Sequence, residues 1–224
     1  MNIIIIPTRL NSSRLPEKAN IEIAGRSLLD WVITGATHAS NAEVICLATT
    51  NDIKDIELVE QYKDKAFTFS WDGDKNDVLG RFCAAVNFIE KEVEEEVENI
   101  VRLTHDCPLL AFHPNLIDDV VSLHVDSDND YTNNRGVYSY PSGLDVEVVK
   151  KKTLLYIDSN MDVSVEDREH VTQYIRNNQD IYKIGYFRTA FDNMFNMKWS
   201  IDDSNDLKRV EDVIKMNILR GYDG

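Results

Sequence analysis

The chain has 224 residues, with 39 Asp and Glu against 24 Lys and Arg, a formal net charge of -15 and 43% hydrophobic residues. That length and apolar content suffice for a buried core in one α/β domain spanning 1–224. The acidity argues against nucleic acid or an anionic membrane as partner, since such binding draws on clustered Lys and Arg.

The first element is a strand over Ile3 to Ile6, stopped by Pro7. With no basic segment before it and only a short apolar run, it is read as neither signal peptide nor membrane span, so the expected location is cytoplasmic. The loop that follows, Thr8 to Lys18, gathers Arg9, Arg14 and Lys18 with the hydroxyls of Thr8, Ser12 and Ser13, between Pro7 and Pro16. Three cations can neutralise a polyphosphate and the hydroxyls can donate to its oxygens. Ser27 to Asp30 is a capping box that opens a first helix through Leu28, Trp31, Val32, Ile33 and Ala36. Residues 43–50 read as a strand buried on both faces, 51–64 as a polar helix, and 66–70 as a third strand. Asp77 caps a helix with Phe82, Val86, Ile89, Val93 and Val97 inward, and its many Glu residues form a solvated face.

Residues 99–104 form the fourth strand. Pro108 stands two residues after Asp106 and cannot continue a central strand, so Asp106 belongs where the strand opens into a loop. Strands at 130–133 and 144–150 flank a Tyr-Pro-Ser-Gly turn. Ser164 opens a second capping box and a helix with Val171, Tyr174 and Ile175 inward. Strands at 181–187 and 197–201 follow, then a helix with Leu207, Val210, Ile214 and Ile218 inward that stops at Gly221.

Alternating strands and helices imply a mostly parallel sheet covered on both faces, with ligands at the carboxyl ends of the strands. The basic loop, Asp106 and Asp202 with Asp203 converge at that edge. Magnesium takes one or two carboxylates plus substrate phosphates, so the outline is that of a nucleoside triphosphate site. There is no P-loop, no dinucleotide fingerprint and no zinc-binding His spacing. Cys46, Cys83 and Cys107 form no C-x-x-C and read as reduced, buried thiols. The D-x-D pairs Asp72 to Asp74 and Asp128 to Asp130 read as turns.

Six segments carry a family resemblance: Ile6 to Lys18, Asp77 to Arg81, Val101 to Leu109, Tyr140 to Val148, Arg168 to Thr172 and Trp199 to Asp202. In this order they resemble the cytidylyltransferases that make CMP-activated sugars. The family of the spore coat polysaccharide biosynthesis protein F is the nearest in pattern, with similarity also to 3-deoxy-manno-octulosonate and acylneuraminate cytidylyltransferases. The resemblance implies a three-layer Rossmann-like nucleotidyltransferase fold of the glycosyltransferase A type. It implies transfer of CMP from CTP to a sugar acid, with magnesium, and a homodimer with 131–150 as contact or acceptor region.

By the same resemblance Pro7, Thr8, Arg9, Ser12, Ser13, Arg14, Lys18, Arg81 and Thr104 bind CTP, Arg81 near the cytosine. Asp106 and Asp202 hold the metal, and Arg14, Lys18, Asp106 and Asp202 carry catalysis. Arg102, Asn133, Tyr140, Gly143, Asp145, Glu147, Glu169 and His170 are the acceptor-side expectation, with Arg102, Arg135 and Arg168 as cations able to pair with a carboxylate or phosphate. The alternatives are a phosphate or phosphonate acceptor, a glycosyltransferase using a D-x-D metal site, and a non-catalytic nucleotide-binding protein. Asn11 and Glu17 stand where the family usually has glycine, and His105 where glycine commonly precedes the metal aspartate.

Overall fold

The computed structural model describes residues 1–10, 15–135, 140–159, 163–188, 196–222 and 224. Strand β1 (Asn2–Pro7) lies inside the sheet, with β4 (Val44–Thr50) on one side and β6 (Asn99–Arg102) on the other, both parallel to it. Its four isoleucines are fully buried and alternate between the faces. Ile4 and Ile6 join the core formed with α1 (Leu28–Thr37), α2 (Ile53–Glu60), α4 (Pro114–Asp126) and α8 (Ser204–Leu219). Ile3 and Ile5 join the core formed with α3 (Val78–Val93), α5 (Lys151–Asp158) and α7 (Gln173–Asn177). Two cores on opposite sides of one sheet make the three layers expected, and they explain an unbroken apolar strand.

The sheet has seven strands among the described residues. Their order is β5 (Phe67–Trp71), β4, β1, β6, β8 (Glu147–Lys150), β7 (Tyr131–Asn133) and β9 (Ile184–Tyr186). Only β8 runs antiparallel to its neighbours β6 and β7 within this sheet. The chain works outward from β1 to β5 and then returns to β6 on the other side of β1. The order therefore reverses between β1 and β6, where open α/β sheets bind ligands. A two-stranded hairpin, β2 (Glu22–Ile23) with β3 (Arg26–Ser27), precedes α1. No helix of the described residues is long and apolar enough to cross a membrane.

Ser27, Asp77 and Ser164 cap as expected, accepting from the backbone N–H of Asp30, Gly80 and Asp167. Several expected spans are corrected. The third helix ends at Val93, because Glu94 turns left-handed at φ 56°; Val97 is buried in the approach to β6. The 51–64 helix stops at Glu60, and β8 begins at Glu147, not 144. Residues 197–201 form no strand; they run alongside the 142–143 turn, where the Ser142 carbonyl accepts from the Trp199 N–H at 2.5 Å and the Ser200 N–H at 2.9 Å and a parallel bridge pairs Ser142 with Lys198. Helices α4 and α5 were not anticipated, although Leu116, Ile117, Val120 and Val121 have helical spacing after Pro114 at the first position.

The helix expected after Ser164 is two: α6 (Val165–His170) and α7, separated at Val171. Val171 has φ 60° and ψ -61°, a γ-turn conformation costly for a β-branched residue. The turn is closed by the Thr172 N–H donating to the His170 carbonyl at 2.6 Å. It presents the Thr172 hydroxyl to Glu147, also at 2.6 Å.

Candidate active site

The root of the basic loop is fixed by groups that composition did not single out. Leu10 donates its N–H to the buried Asp55 carboxylate at 2.7 Å, and Asp55 also accepts from the Thr50 hydroxyl at 2.6 Å. Glu17 donates its N–H back to the Leu10 carbonyl at 3.1 Å. Glu17 itself is left-handed at φ 54°, which accounts for the glycine usual at this place in the resembling enzymes. Its side chain is exposed. Ser12, Ser13 and Arg14, with Asn11, lie outside the described residues.

Lys18, next in the chain, is buried and ties three segments together. Its Nζ donates to the Ile201 carbonyl at 2.6 Å, and lies 3.4 Å from Asp106 Oδ2 and 3.9 Å from Asp202 Oδ1. The Ile201 N–H donates to the Asp106 carbonyl at 3.1 Å, which joins the two aspartate-bearing segments directly. Both carboxylates remain 25% exposed. Burial alone would raise the Asp106 carboxyl; the Lys18 ammonium, His105 and the Thr104 hydroxyl outweigh it and bring it down to about 2. Thus Lys18, Asp106 and Asp202, far apart in sequence, meet at the switch point, as the residues suggested.

The same donor set fits a magnesium ion. Two partly exposed carboxylates share one cation, and no group of three or more His, Cys, Asp or Glu among the described residues could hold a metal by itself. Such a site leaves positions for water and substrate phosphates.

Beside it lies a second cluster. Glu147 pairs with Arg102 at 3.4 Å and Arg135 at 3.1 Å and accepts from Thr172, while Asp145 pairs with Arg135 at 3.4 Å and accepts from the Gly143 N–H at 3.2 Å. Burial pushes the Glu147 carboxyl up, but Arg102 and Arg135 more than offset this and hold it at about 2. Burial dominates at Asp145 and raises it despite Arg135. The Cys107 thiol links the clusters, 3.6 Å from Asp106 and 3.8 Å from Asp145. Burial and these two carboxylates raise the thiol well above its usual range, so it stays protonated; all three cysteines are free and buried.

Arg9 reaches away from both clusters. It approaches the Lys75 carbonyl at 3.5 Å, Asn76 at 3.3 Å and Glu169 at 3.6 Å, joining the basic loop to the 72–77 loop and to α6 at the mouth of the site. His170 is exposed beside it in sequence. Arg168 is taken up by Asp77 at 2.7 Å and Asp158 at 2.5 Å.

Several expected contact residues turn out to be framework. Thr8 is fully buried and its hydroxyl donates to the Ile6 carbonyl, so it does not face a phosphate. Arg81 is buried and donates to the Lys75 carbonyl at 2.7 Å; burial and the nearby Arg9 lower it to about 10. It supports the 72–77 loop from beneath, offering no surface to a base. Glu147 is 1% exposed and Asn133, also buried, accepts from the Arg135 N–H at 2.9 Å, so neither presents a face to an acceptor. Gly143 is buried at φ +106°, and a Cβ there would stand 2.1 Å from the Trp199 carbonyl carbon. Its glycine is required by the close approach of the segment that ends in Asp202. Arg102 is used by Glu147. Pro7 ends β1 with its carbonyl 3.2 Å from His105 Nδ1, and Thr104 is partly buried with its hydroxyl 3.3 Å from Cys107. Tyr140 is half-buried and stacks on Phe187 at 5.9 Å.

The D-x-D pairs are turns: Asp74 accepts from the Asn76 N–H at 2.9 Å, and Asp128, at φ 49°, pairs with Lys150. A cavity of about 590 Å³ lined by Thr37, Glu43, Lys63 and Phe67 opens at the amino ends of β4 and β5, on the edge of the sheet opposite Asp106. Asp55, Asp206, Lys198, Thr172 and Asn134, whose amide donates to the Leu144 carbonyl at 2.6 Å and accepts from the Val146 N–H at 2.9 Å, support the site without any motif that marks them for these roles. In all of them but the exposed Lys198 the sign is burial of a polar side chain, which has no periodicity to betray it.

A family model described as cytidylyltransferase matches residues 3–221. The spore coat polysaccharide biosynthesis protein SpsF of Bacillus subtilis is 28% identical over 188 residues, covering 82% of this chain and 73% of that protein. A 3-deoxy-manno-octulosonate cytidylyltransferase of Psychrobacter arcticus is 30% identical over 122 residues, 54% of this chain and 42% of that one. Among solved structures, a cytidylyltransferase from Leptospira borgpetersenii superposes with a TM-score of 0.81 at 24% identity, over 96% of this chain and 87% of that chain.

Proposed function

Since the chain belongs to the cytidylyltransferase family, and is a CTP-dependent nucleotidyltransferase, we propose that it transfers CMP from CTP to a hydroxyl of a sugar acid, with release of pyrophosphate, for surface polysaccharide biosynthesis. The observation that carries the reading is the meeting of Lys18, Asp106 and Asp202 at the reversal point of the sheet. The names of two relatives, a spore coat polysaccharide biosynthesis protein and a 3-deoxy-manno-octulosonate cytidylyltransferase, support the acceptor class.

In this reading the acceptor oxygen forms a bond to the α-phosphorus, the bond from that phosphorus to the β-phosphate oxygen breaks, and the hydroxyl proton passes to solvent. Such transfer needs little covalent chemistry from the protein, so alignment and charge neutralisation do the work. Asp106 and Asp202 would hold a magnesium ion, which when bound would supply Lewis-acid polarisation of the α-phosphate. Lys18 neutralises charge on the departing pyrophosphate, helped by Arg14 and by the hydroxyls of Ser12 and Ser13. Arg9 closes the mouth through Asn76 and Glu169. Arg135, 41% exposed and held by Asp145 and Glu147, together with Tyr140, His170 and Glu169, faces the acceptor. A homodimer through the 131–150 region and a cytoplasmic location belong to the same proposal; sedimentation of the purified chain tests the first.

The decisive measurement is pyrophosphate release with CTP, ATP, GTP and UTP against ulosonic acids and, separately, phosphorylated acceptors. Turnover confined to CTP and a ulosonic acid is the expected result. Turnover only with phosphorylated acceptors would replace the acceptor class, and CTP binding without turnover on either panel would replace catalysis with a binding role.

A further inference from the structure

Asp202 presents its two oxygens in different directions. Oδ1 faces the Lys18 ammonium, which Asp106 shares, and Oδ2 lies 3.0 Å from the Lys198 ammonium. Lys198 is also paired with Asp206 at 2.5 Å. Asp206 is 5% exposed at its side chain, sits in the first turn of α8, and accepts from the Asp202 N–H at 3.0 Å with the same oxygen that meets Lys198. Its other oxygen is taken by Arg209. The backbone of Lys198 is fixed as well: its carbonyl accepts from Arg209 Nε at 2.9 Å, and the segment bridges to Ser142.

An exposed ion pair contributes little to stability, and Lys198 is 44% exposed. Arg209 already supplies Asp206 with a counter-charge, so folding does not require a second cation at this place. What the second cation does is meet one oxygen of Asp202 while the other faces the Lys18 ammonium that Asp106 shares. A carboxylate that binds a cation through one oxygen gains by having the other hydrogen-bonded, and loss of such an outer partner typically costs about 10- to 100-fold in metal affinity or activity.

We propose that Lys198, anchored on Asp206, is a positioning residue that holds Asp202 in the orientation needed for it and Asp106 to grip one divalent cation. The inference rests on the proposed metal role of those two aspartates. It also assigns a use to Asp206, which would otherwise be one more helix-start acid.

The test is Mn²⁺ binding to the full chain, read from the free Mn²⁺ signal by electron paramagnetic resonance, with and without CTP. Lys198→Met is expected to weaken Mn²⁺ binding by at least about tenfold, and Lys198→Arg to restore most of it, because a guanidinium can span two carboxylates. Lys198→Gln serves as a second neutral variant, and thermal melting of each must stay near that of the unaltered protein. Binding by both neutral variants that is unchanged, or tighter because a repelling cation has gone, overturns the inference while leaving the metal reading intact. Absence of any saturable Mn²⁺ site in the unaltered protein, or a site indifferent to Asp106→Asn, overturns both.

Discussion

Two pairs of carboxylates lie side by side at the active edge, and they are neutralised differently. Asp106 and Asp202 face lysines, keep a quarter of their surface exposed, and meet ammonium groups at 3.0 to 3.9 Å. Glu147 is sealed in, held by Arg102, Arg135 and a threonine, and Asp145 shares Arg135. An ammonium is a compact charge on a flexible stem, whereas a planar guanidinium fork locks geometry. The lysine-faced pair therefore suits the proposed exchange of its cation for a metal ion, and the arginine-faced pair suits the keeping of shape. In the proposed reading, like residue types serve catalysis in one place and framework in the other, by burial and choice of partner.

The comparison fails if the two pairs respond alike to mutation. Asp106→Asn or Asp202→Asn should lower CTP-dependent pyrophosphate release by at least about 10²-fold, as expected when charge stabilisation of a transferring group is lost. Urea unfolding of Asp106→Asn should show at most about 2 kcal/mol of lost stability, the order set by the shift at Asp106. Glu147→Ala should do the reverse, costing about 3–5 kcal/mol in urea unfolding, because it strands Arg102 and Arg135. Equal stability losses from the two substitutions would erase the distinction.

Acid sharpens it further. Glu147 and Asp106 fall from ordinary values of 4.5 and 3.8 to about 2 in the folded chain. A carboxyl depressed by folding adds stability above its unfolded value, and that stability is lost as pH falls through the folded one. Unfolding free energy should therefore drop between pH 4.5 and about 2, and Glu147→Gln should flatten more of that drop than Asp106→Asn, measured by denaturant titration at pH 6, 4 and 3. The smallest effect belongs to the lysine side. Glu17→Gly should stabilise by up to about 1 kcal/mol by relieving its left-handed backbone, read as a shift in the urea midpoint.

The sequence made the three layers and the meeting point legible because both follow from patterns with a period. Four buried isoleucines, Ser27 and Asp77 as caps, and Pro108 after Asp106 each have a local physical meaning. It could not show that Glu147 is framework and not an acceptor contact, since alternation along a strand does not say which acid will find two arginines waiting. Nor could it show that Gly143 answers to the backbone of Trp199, 56 residues later. Residues 197–201 look like a strand by composition, yet a run that only bridges to a turn has the same alternation. The break at Val171 was illegible for a related reason: its conformation is one the residue disfavours, imposed by the need to bring Thr172 to Glu147.

The hydrogen bond from Lys18 to the carbonyl of Ile201 spans 183 positions of the chain. Contacts of such separation pay a large loop-closure cost and form late. During synthesis, β1, β4, β5 and β6 can pair while the ribosome still holds the last segment, but the edge where Asp202 meets Asp106 does not exist until that segment emerges and docks. Regain of activity on refolding should accordingly trail the formation of the sheet, and a chain stopped short of Ile201 would be a nearly complete fold with no chemistry.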